Sequence, residues 1–312
     1  MRFSRFALVL GLSLLTADMA HAEISVVVTS KPIHSLVAGV MSGIGVPRLL
    51  VDGQASPHTY AMKPSDALSL SKASVFFRIS DTLEPFTVKL LKSLPRTVRV
   101  ESLLETPGVE LFDRREGGAF EPDHDQDHQG GGGHAGHRTR GVPDPHAWLN
   151  PDNAKAMTRE IARVLAETTP EQSETIRKNA DAVIARIDRL AAELDQELRP
   201  LAGKRFVVYH DAYQYFERRF GLVAVGSVTV SPDVPPGGRR LQELRRKIAS
   251  SGAVCVFSEP FFDDRLSGAV VEGTLARTAM LDPEGMTLEA GPELYFALMR
   301  KLAAGFKSCL ER

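Results

Sequence analysis

From residue 171 to residue 199 the chain contains neither proline nor glycine, a run of 29 residues bounded by Pro170 and Pro200. No other feature restricts the fold as much. Thr169-Pro170-Glu171 reads as a helix start with a capping side chain and a first-turn proline. Ile176, Ala180, Val183, Ile184, Ile187, Leu190, Ala191, Leu194 and Leu198 then recur at spacings of three and four, one apolar stripe along a helix. At about 1.5 Å per residue the helix reaches roughly 43 Å. That is long enough to brace two domains, and the plainer alternative is a long surface helix within one.

The same alternation appears on both sides of this helix. Short β-branched runs at 24–29, 47–51, 75–79 and 97–100 are separated by amphipathic segments, and the rhythm resumes at 205–209, 222–225, 253–258 and 278–281. Strand and helix in alternation imply βαβ units and parallel sheet. The predicted fold is therefore α/β: two lobes, each with a parallel sheet flanked by helices, joined by one long rigid helix. The predicted boundaries are 23–168 for the N-terminal lobe, 169–199 for the linking helix and 200–312 for the C-terminal lobe.

The first 22 residues set the compartment. Arg2 and Arg5 precede an apolar stretch from Phe6 to Leu15, and Ala20-His21-Ala22 supplies small residues before a cut. This reads as a secretory signal cleaved after Ala22, too short in its apolar part to span a bilayer. With 38 Lys and Arg against 39 Asp and Glu, the net charge of −1 supplies no field for gathering nucleic acid or anionic lipid. In an exported protein the two cysteines, Cys255 and Cys309, are most economically read as one disulfide; two free thiols are the alternative.

Residues 113–141 break the pattern, with eight glycines, six acidic residues, four arginines, four histidines and almost nothing apolar. Such a segment is expected to be a mobile surface loop. His124, His128, His134 and His137 lie beside Asp123, Asp125 and Asp127, donors that suit a divalent metal held weakly, because wrapping a flexible chain round an ion costs ordering entropy. A solvated linker with no metal is the bland alternative. The tetraglycine at 130–133 lacks the Lys and Ser/Thr of a phosphate loop.

Outside that loop, His58 lies just beyond strand 47–51, His146 just before a helix opened by Asn150-Pro151, His210 at the carboxyl end of strand 205–209 and Asp282 at the end of strand 278–281. Ligands of open α/β sheets sit outside the carboxyl ends of strands, so these residues converge if the two sheets face each other. Taken singly, each histidine reads as readily as a satisfied polar residue at an interface. His34 is expected to cap or pack at an early helix start, and Glu259 to hydrogen-bond rather than ligate. Trp148, Tyr213, Tyr215 and Phe216 are expected to wall the site. Arg239, Arg240, Arg245, Arg246 and Lys247 read as a solvated helix face.

Three neighbourhoods, Ser56-Pro57-His58-Thr59-Tyr60-Ala61-Met62-Lys63-Pro64-Ser65-Asp66, Pro145-His146-Ala147-Trp148-Leu149-Asn150-Pro151 and Val208-Tyr209-His210-Asp211-Ala212-Tyr213-Gln214-Tyr215-Phe216, come in an order that resembles the ZnuA-type periplasmic zinc-binding proteins of bacterial ABC importers. Pro236-Gly237-Gly238-Arg239-Arg240-Leu241, Val256-Phe257-Ser258-Glu259-Pro260 and Leu281-Asp282-Pro283-Glu284-Gly285 extend the resemblance over nearly all of 24–312.

The resemblance implies a metal in the interlobe cleft, a His-rich loop near its entrance and a disulfide in the C-terminal lobe. Carried over position by position, it makes His58 and His146 the N-lobe ligands, His210 a C-lobe ligand and Asp282 the carboxylate that completes the site. Three imidazoles and one oxygen fit tetrahedral Zn²⁺. Some relatives carry Glu immediately before the first histidine, where this chain has Pro57, which leaves Asp282 or water as the fourth ligand. The expected role is periplasmic zinc capture by a monomer and delivery to an ABC permease, without catalysis. A manganese carrier of the same fold is the alternative, although manganese prefers carboxylates and such relatives tend to present Glu at the position of His210. A zinc hydrolase would also use three histidines, but no HExxH motif supplies its general base.

Overall fold

The computed structural model describes residues 24–115, 119–120, 141–229 and 236–311. Eight strands, β1 (Val26–Val28), β2 (Arg48–Leu49), β3 (Val75–Arg78), β4 (Arg99–Ser102), β5 (Arg205–Val208), β6 (Val223–Ser227), β7 (Cys255–Ser258) and β8 (Arg277–Met280), form among these residues, one at each predicted position. They build two all-parallel four-stranded sheets of identical topology, β2-β1-β3-β4 and β6-β5-β7-β8.

The helices are α1 (Lys31–Val40), α2 (Pro64–Ser71), α3 (Val88–Leu91), α4 (Pro151–Thr168), α5 (Ser173–Leu198), α6 (Gln214–Phe220), α7 (Gly238–Ser251), α8 (Asp264–Val271) and α9 (Leu294–Leu310). The period of two along each strand divides the core. Val26, Val28, Val75 and Phe77 of one sheet, and Phe206, Val208, Cys255 and Phe257 of the other, join a single central cluster with α1, α4, α5 and α9. The alternate residues Val27 and Phe76, and Val207 and Val256, face two separate outer clusters. Both sheets thus lean on one shared layer of helices.

The long linking helix is α5, 26 residues whose buried stripe runs Ile176, Ala180, Val183, Ile187, Leu190, Ala191, Leu194 and Leu198, with Ile184 only half-buried beside it. Its start differs from expectation. Thr169 does not cap it; the Thr169 hydroxyl donates back to Leu165 O and closes α4, and a 3-10 turn over Pro170–Gln172 intervenes before α5 begins. Asn150 does cap α4, its side chain accepting from Asp152 N at 2.9 Å.

The predicted loop 113–141 is anchored at its near end, contrary to the expectation for the whole segment. Asp113 bridges Pro143, Arg114 N donates to Val142 O, and Phe120 N donates to Val225 O at 3.0 Å on the edge strand β6. Arg115 pairs with Asp211 and Glu217 and lies over the buried Phe120 ring. One guanidinium and one aromatic ring supply the anchorage that the glycines cannot. His124, His128, His134 and His137 lie outside the described residues.

Cys255 of β7 and Cys309 of α9 are both buried and joined by a disulfide closing a 54-residue separation. Reduction is expected to destabilise the chain by roughly 2–4 kcal/mol through the freed unfolded state. Neither sulfur belongs to the metal-binding cluster described below, so a lower melting temperature with unchanged metal stoichiometry is the expected outcome of a melting scan in reductant. A change in stoichiometry would show that the disulfide shapes the site.

Candidate metal centre

The carboxyl ends of both sheets deliver side chains to one point. His210 follows β5 and Glu259 follows β7, the neighbouring strands between which the C-lobe connection changes direction, the place where ligands of such sheets bind. His58 lies in the turn beyond β2, and His146 in the turn that leads through Ala147–Leu149 into α4. His58, His146, His210 and Glu284 each offer one ligand atom, and these atoms all lie within 4.8 Å of one another. His146, His210 and Glu284 are buried; the His58 side chain keeps 12% exposure.

The imidazoles meet through their Nε2 atoms. His146 Nε2 stands 3.2 Å from His58 Nε2 and 3.4 Å from His210 Nε2. The opposite nitrogens of two of the rings are tied to carboxylates. His146 Nδ1–H donates to Asp144 Oδ1 at 2.7 Å, and His210 Nδ1–H donates to Glu259 Oε1 and Oε2 at 2.8 and 2.7 Å. A carboxylate at Nδ1 holds the proton there and turns the Nε2 lone pair inward. Lone pairs at such separations repel unless a positive centre, a proton or a metal cation, sits between them.

The electrostatics agree. Burial, and after it the charges of His210 and Arg114, hold His146 well below the usual imidazole range, so this ring is a neutral donor. Burial, the largest single influence, pulls His210 down too, but the Glu259 carboxylate, with Glu284 and Asp211 adding to it, raises the ring overall, which makes it the more basic nitrogen. Burial, with Glu259 and Asp282 adding like charge, pushes Glu284 up to about 8 although His210 and the Ser56 hydroxyl favour its ionised form. Ser56 Oγ donates to Glu284 Oε1 at 3.1 Å and accepts from His58 N at 3.3 Å, bracing two cluster members at once. Glu284 Oε2 is buried with no hydrogen-bond partner. A buried carboxyl group with one unsatisfied oxygen beside three inward nitrogens is a site made for a cation.

Asp282, expected to complete the site, does not join the cluster. Its Oδ1 accepts from Met286 N at 2.9 Å and its Oδ2 from Thr287 N and Thr287 Oγ1 at 2.9 and 2.6 Å. Both oxygens are spent closing the turn, where Gly285 takes the left-handed conformation at φ +69°. The turn presents Glu284 instead. Asp144 was also missed, although Asp144-Pro145-His146 carries a signal: an Asp two residues before a histidine can accept from that residue's backbone, as Asp144 Oδ1 does from His146 N at 3.0 Å. Glu259 hydrogen-bonds, as expected. His34 is buried with its Nε2 3.0 Å from Pro47 O, a packing histidine.

Aromatic rings enclose the nest. Trp148 lies 5.4 Å from the His146 ring, and Tyr213 donates to Glu259 Oε1 at 3.2 Å. Tyr215 donates to the Asp144 backbone carbonyl at 2.9 Å and Gln214 Nε2 to its Oδ2 at 3.4 Å, so the C-lobe helix α6 supports the residue that orients an N-lobe histidine. Phe216 stacks on Phe306, deeper in the core. Of the basic run, Arg240 and Arg245 are tied to backbone carbonyls of Ser227, Val228 and Ala269, and Arg239 pairs with Glu243.

Two α/β lobes that bury a cluster of three imidazoles and a carboxylate between them define a solute-binding protein whose solute is a metal cation. Residues 26–309 match the family described as ZnuA, zinc-uptake complex component A, periplasmic. The chain belongs to that family. It is 42% identical over 316 residues to the high-affinity zinc uptake system protein ZnuA of Brucella suis biovar 1 (strain 1330), covering 95% of this chain and 94% of the relative. To the protein of the same name from Yersinia pestis it is 31% identical, covering 97% and 96%. A solved structure, the crystal structure of ZnuA, superimposes with a TM-score of 0.73 at 24% identity over 91% of this chain and all of that one. Among the described residues no helix is long and apolar enough to cross a membrane.

Proposed function

We propose that this protein captures Zn²⁺ in the periplasm after cleavage behind Ala22, holds it as a monomer on His58, His146, His210 and Glu284, and delivers it to an ABC permease. One observation carries the choice of ion. A tetrahedral site with bonds of about 2.0–2.1 Å to nitrogen separates its donors by roughly 3.3–3.4 Å along an edge, and the Nε2 separations here are 3.2 and 3.4 Å. Manganese, which prefers oxygen donors in larger shells, is poorly served by three imidazoles. The fourth side chain also separates carriage from catalysis, because a hydrolytic zinc keeps one position open for water and Glu284 stands in that position.

The four loop histidines, His124, His128, His134 and His137, supply weaker secondary sites in this reading. A loop must lose chain entropy to wrap an ion, whereas the cluster is held by folded elements. Native mass spectrometry with metal analysis tests both parts on the chain and on a deletion of residues 121–138, cut beyond the buried Phe120. One zinc should survive mild chelation in each protein, and additional, easily stripped equivalents should appear only in the parent. Loss of the tightest zinc with the loop would move the primary site away from the cluster.

A further inference from the structure

Glu284 follows β8 in the C-terminal half of the sequence, yet side chains of the N-terminal half hold the turn that carries it. Trp148 Nε1 donates to Pro283 O at 3.1 Å, and Ser56 Oγ donates to the Glu284 carboxylate. The most unusual of these contacts is made by Lys31, in the first turn of α1. Its side chain is only 8% exposed, and its ammonium donates to Met286 O at 3.3 Å and Leu288 O at 2.8 Å, with the Asp52 carboxylate 3.9 Å away.

Lysine is almost never buried without a partner, and a fixed positive charge in a cation carrier works against its cargo. Here most of its hydrogen-bonding capacity goes to two backbone carbonyls of a turn more than 250 residues distant in sequence. That turn is closed on itself by Asp282, which accepts from Met286 N, Thr287 N and Thr287 Oγ1. Asp282 therefore shapes the turn, and Lys31 fastens it to the N-terminal lobe.

We infer that Lys31 is a positioning residue for the fourth ligand: by anchoring the 282–288 turn to α1 it makes Glu284 move with His58 and His146, leaving His210 as the single donor on the opposite lobe. The inference rests on the metal-binding reading above. Its mechanical consequence is that parting of the lobes breaks one metal–ligand bond while three stay together. Removing Lys31 should loosen Glu284 without touching a histidine.

The test uses the full chain with Zn²⁺ in chelator competition and Co²⁺ as the spectroscopic probe. Glu284→Gln should weaken zinc binding and change the Co²⁺ d–d spectrum. Lys31→Met should reproduce that spectrum and lose roughly 10–100-fold in zinc affinity, the range found for residues that orient ligands. The double variant should be no weaker than Glu284→Gln alone, because the two changes remove the same interaction. Lys31→Arg, which keeps charge and donors, should restore the wild-type spectrum; if Lys31→Met does not fold, Lys31→Gln takes its place with the same expectation. Additive losses, or a wild-type spectrum in the Lys31 variant, would overturn the inference. If Glu284→Gln itself binds like wild type, Glu284 is not a ligand and the inference falls while the histidine site stands. If the wild-type chain binds neither ion tightly, the metal-binding reading fails first, and the inference with it.

Discussion

His146→Ala should abolish tight zinc binding, with a loss well beyond the roughly 10–100-fold that follows removal of an outer-shell partner. His146 is the hub of the cluster: its Nε2 is the atom close to both other imidazoles, at 3.2 Å from His58 and 3.4 Å from His210. Its loss removes one inner-sphere bond and leaves the buried Asp144 without the ring that it orients. Burial already pushes Asp144 up to about 6, although the His146 backbone, Gln214, Arg115 and His210 favour its ionised form. The folded variant should therefore also melt earlier. His58→Ala should cost a bond with less damage to the surroundings, whereas His210→Ala also leaves the buried Glu259 without its imidazole partner. Chelator competition on the three variants checks the set, and wild-type affinity in any one of them would remove that histidine from the site.

Much of this was legible in the sequence because it depends on local chemistry. All eight strands fall within the short segments predicted as strands or overlap them, and parallel pairing needs only the intervening helices. The three histidines could be read as convergent because each sits at the end of an element, where a two-sheet fold brings chain ends together. What was not legible depends on how one turn shares out its hydrogen bonds. Asp282 and Glu284 stand two residues apart around Pro283, and both the end of the predicted strand 278–281 and the family resemblance favoured Asp282. The choice falls to Glu284 because Met286 and Thr287 offer three donors to Asp282 and none to Glu284, whose bonding partner, Ser56, lies 228 residues away. The capping of Thr169 failed for a similar reason: its hydroxyl found a carbonyl on the preceding helix before it could serve the next one.

Glu259→Gln should cost zinc affinity roughly 10–100-fold although Glu259 is not a member of the donor cluster. Both Glu259 oxygens face His210 Nδ1, at 2.8 and 2.7 Å, and together they fix the proton on that nitrogen. An amide replaces one acceptor with an NH₂ donor, which would face the Nδ1 proton unless the ring changes tautomer. The other tautomer puts the proton on Nε2, where the metal must bind. The lost negative charge compounds the effect, since Glu259 is the foremost of the groups that oppose burial and raise His210; without it the nitrogen is a weaker donor. Tyr213→Phe is the control, because it removes one hydrogen bond to the same carboxylate and leaves both charge and tautomer in place. A small affinity change for Tyr213→Phe beside a large one for Glu259→Gln, both in chains that melt cooperatively, would assign the effect to His210. Equal small losses would mean that Glu259 only packs, and that the orientation of His210 comes from elsewhere.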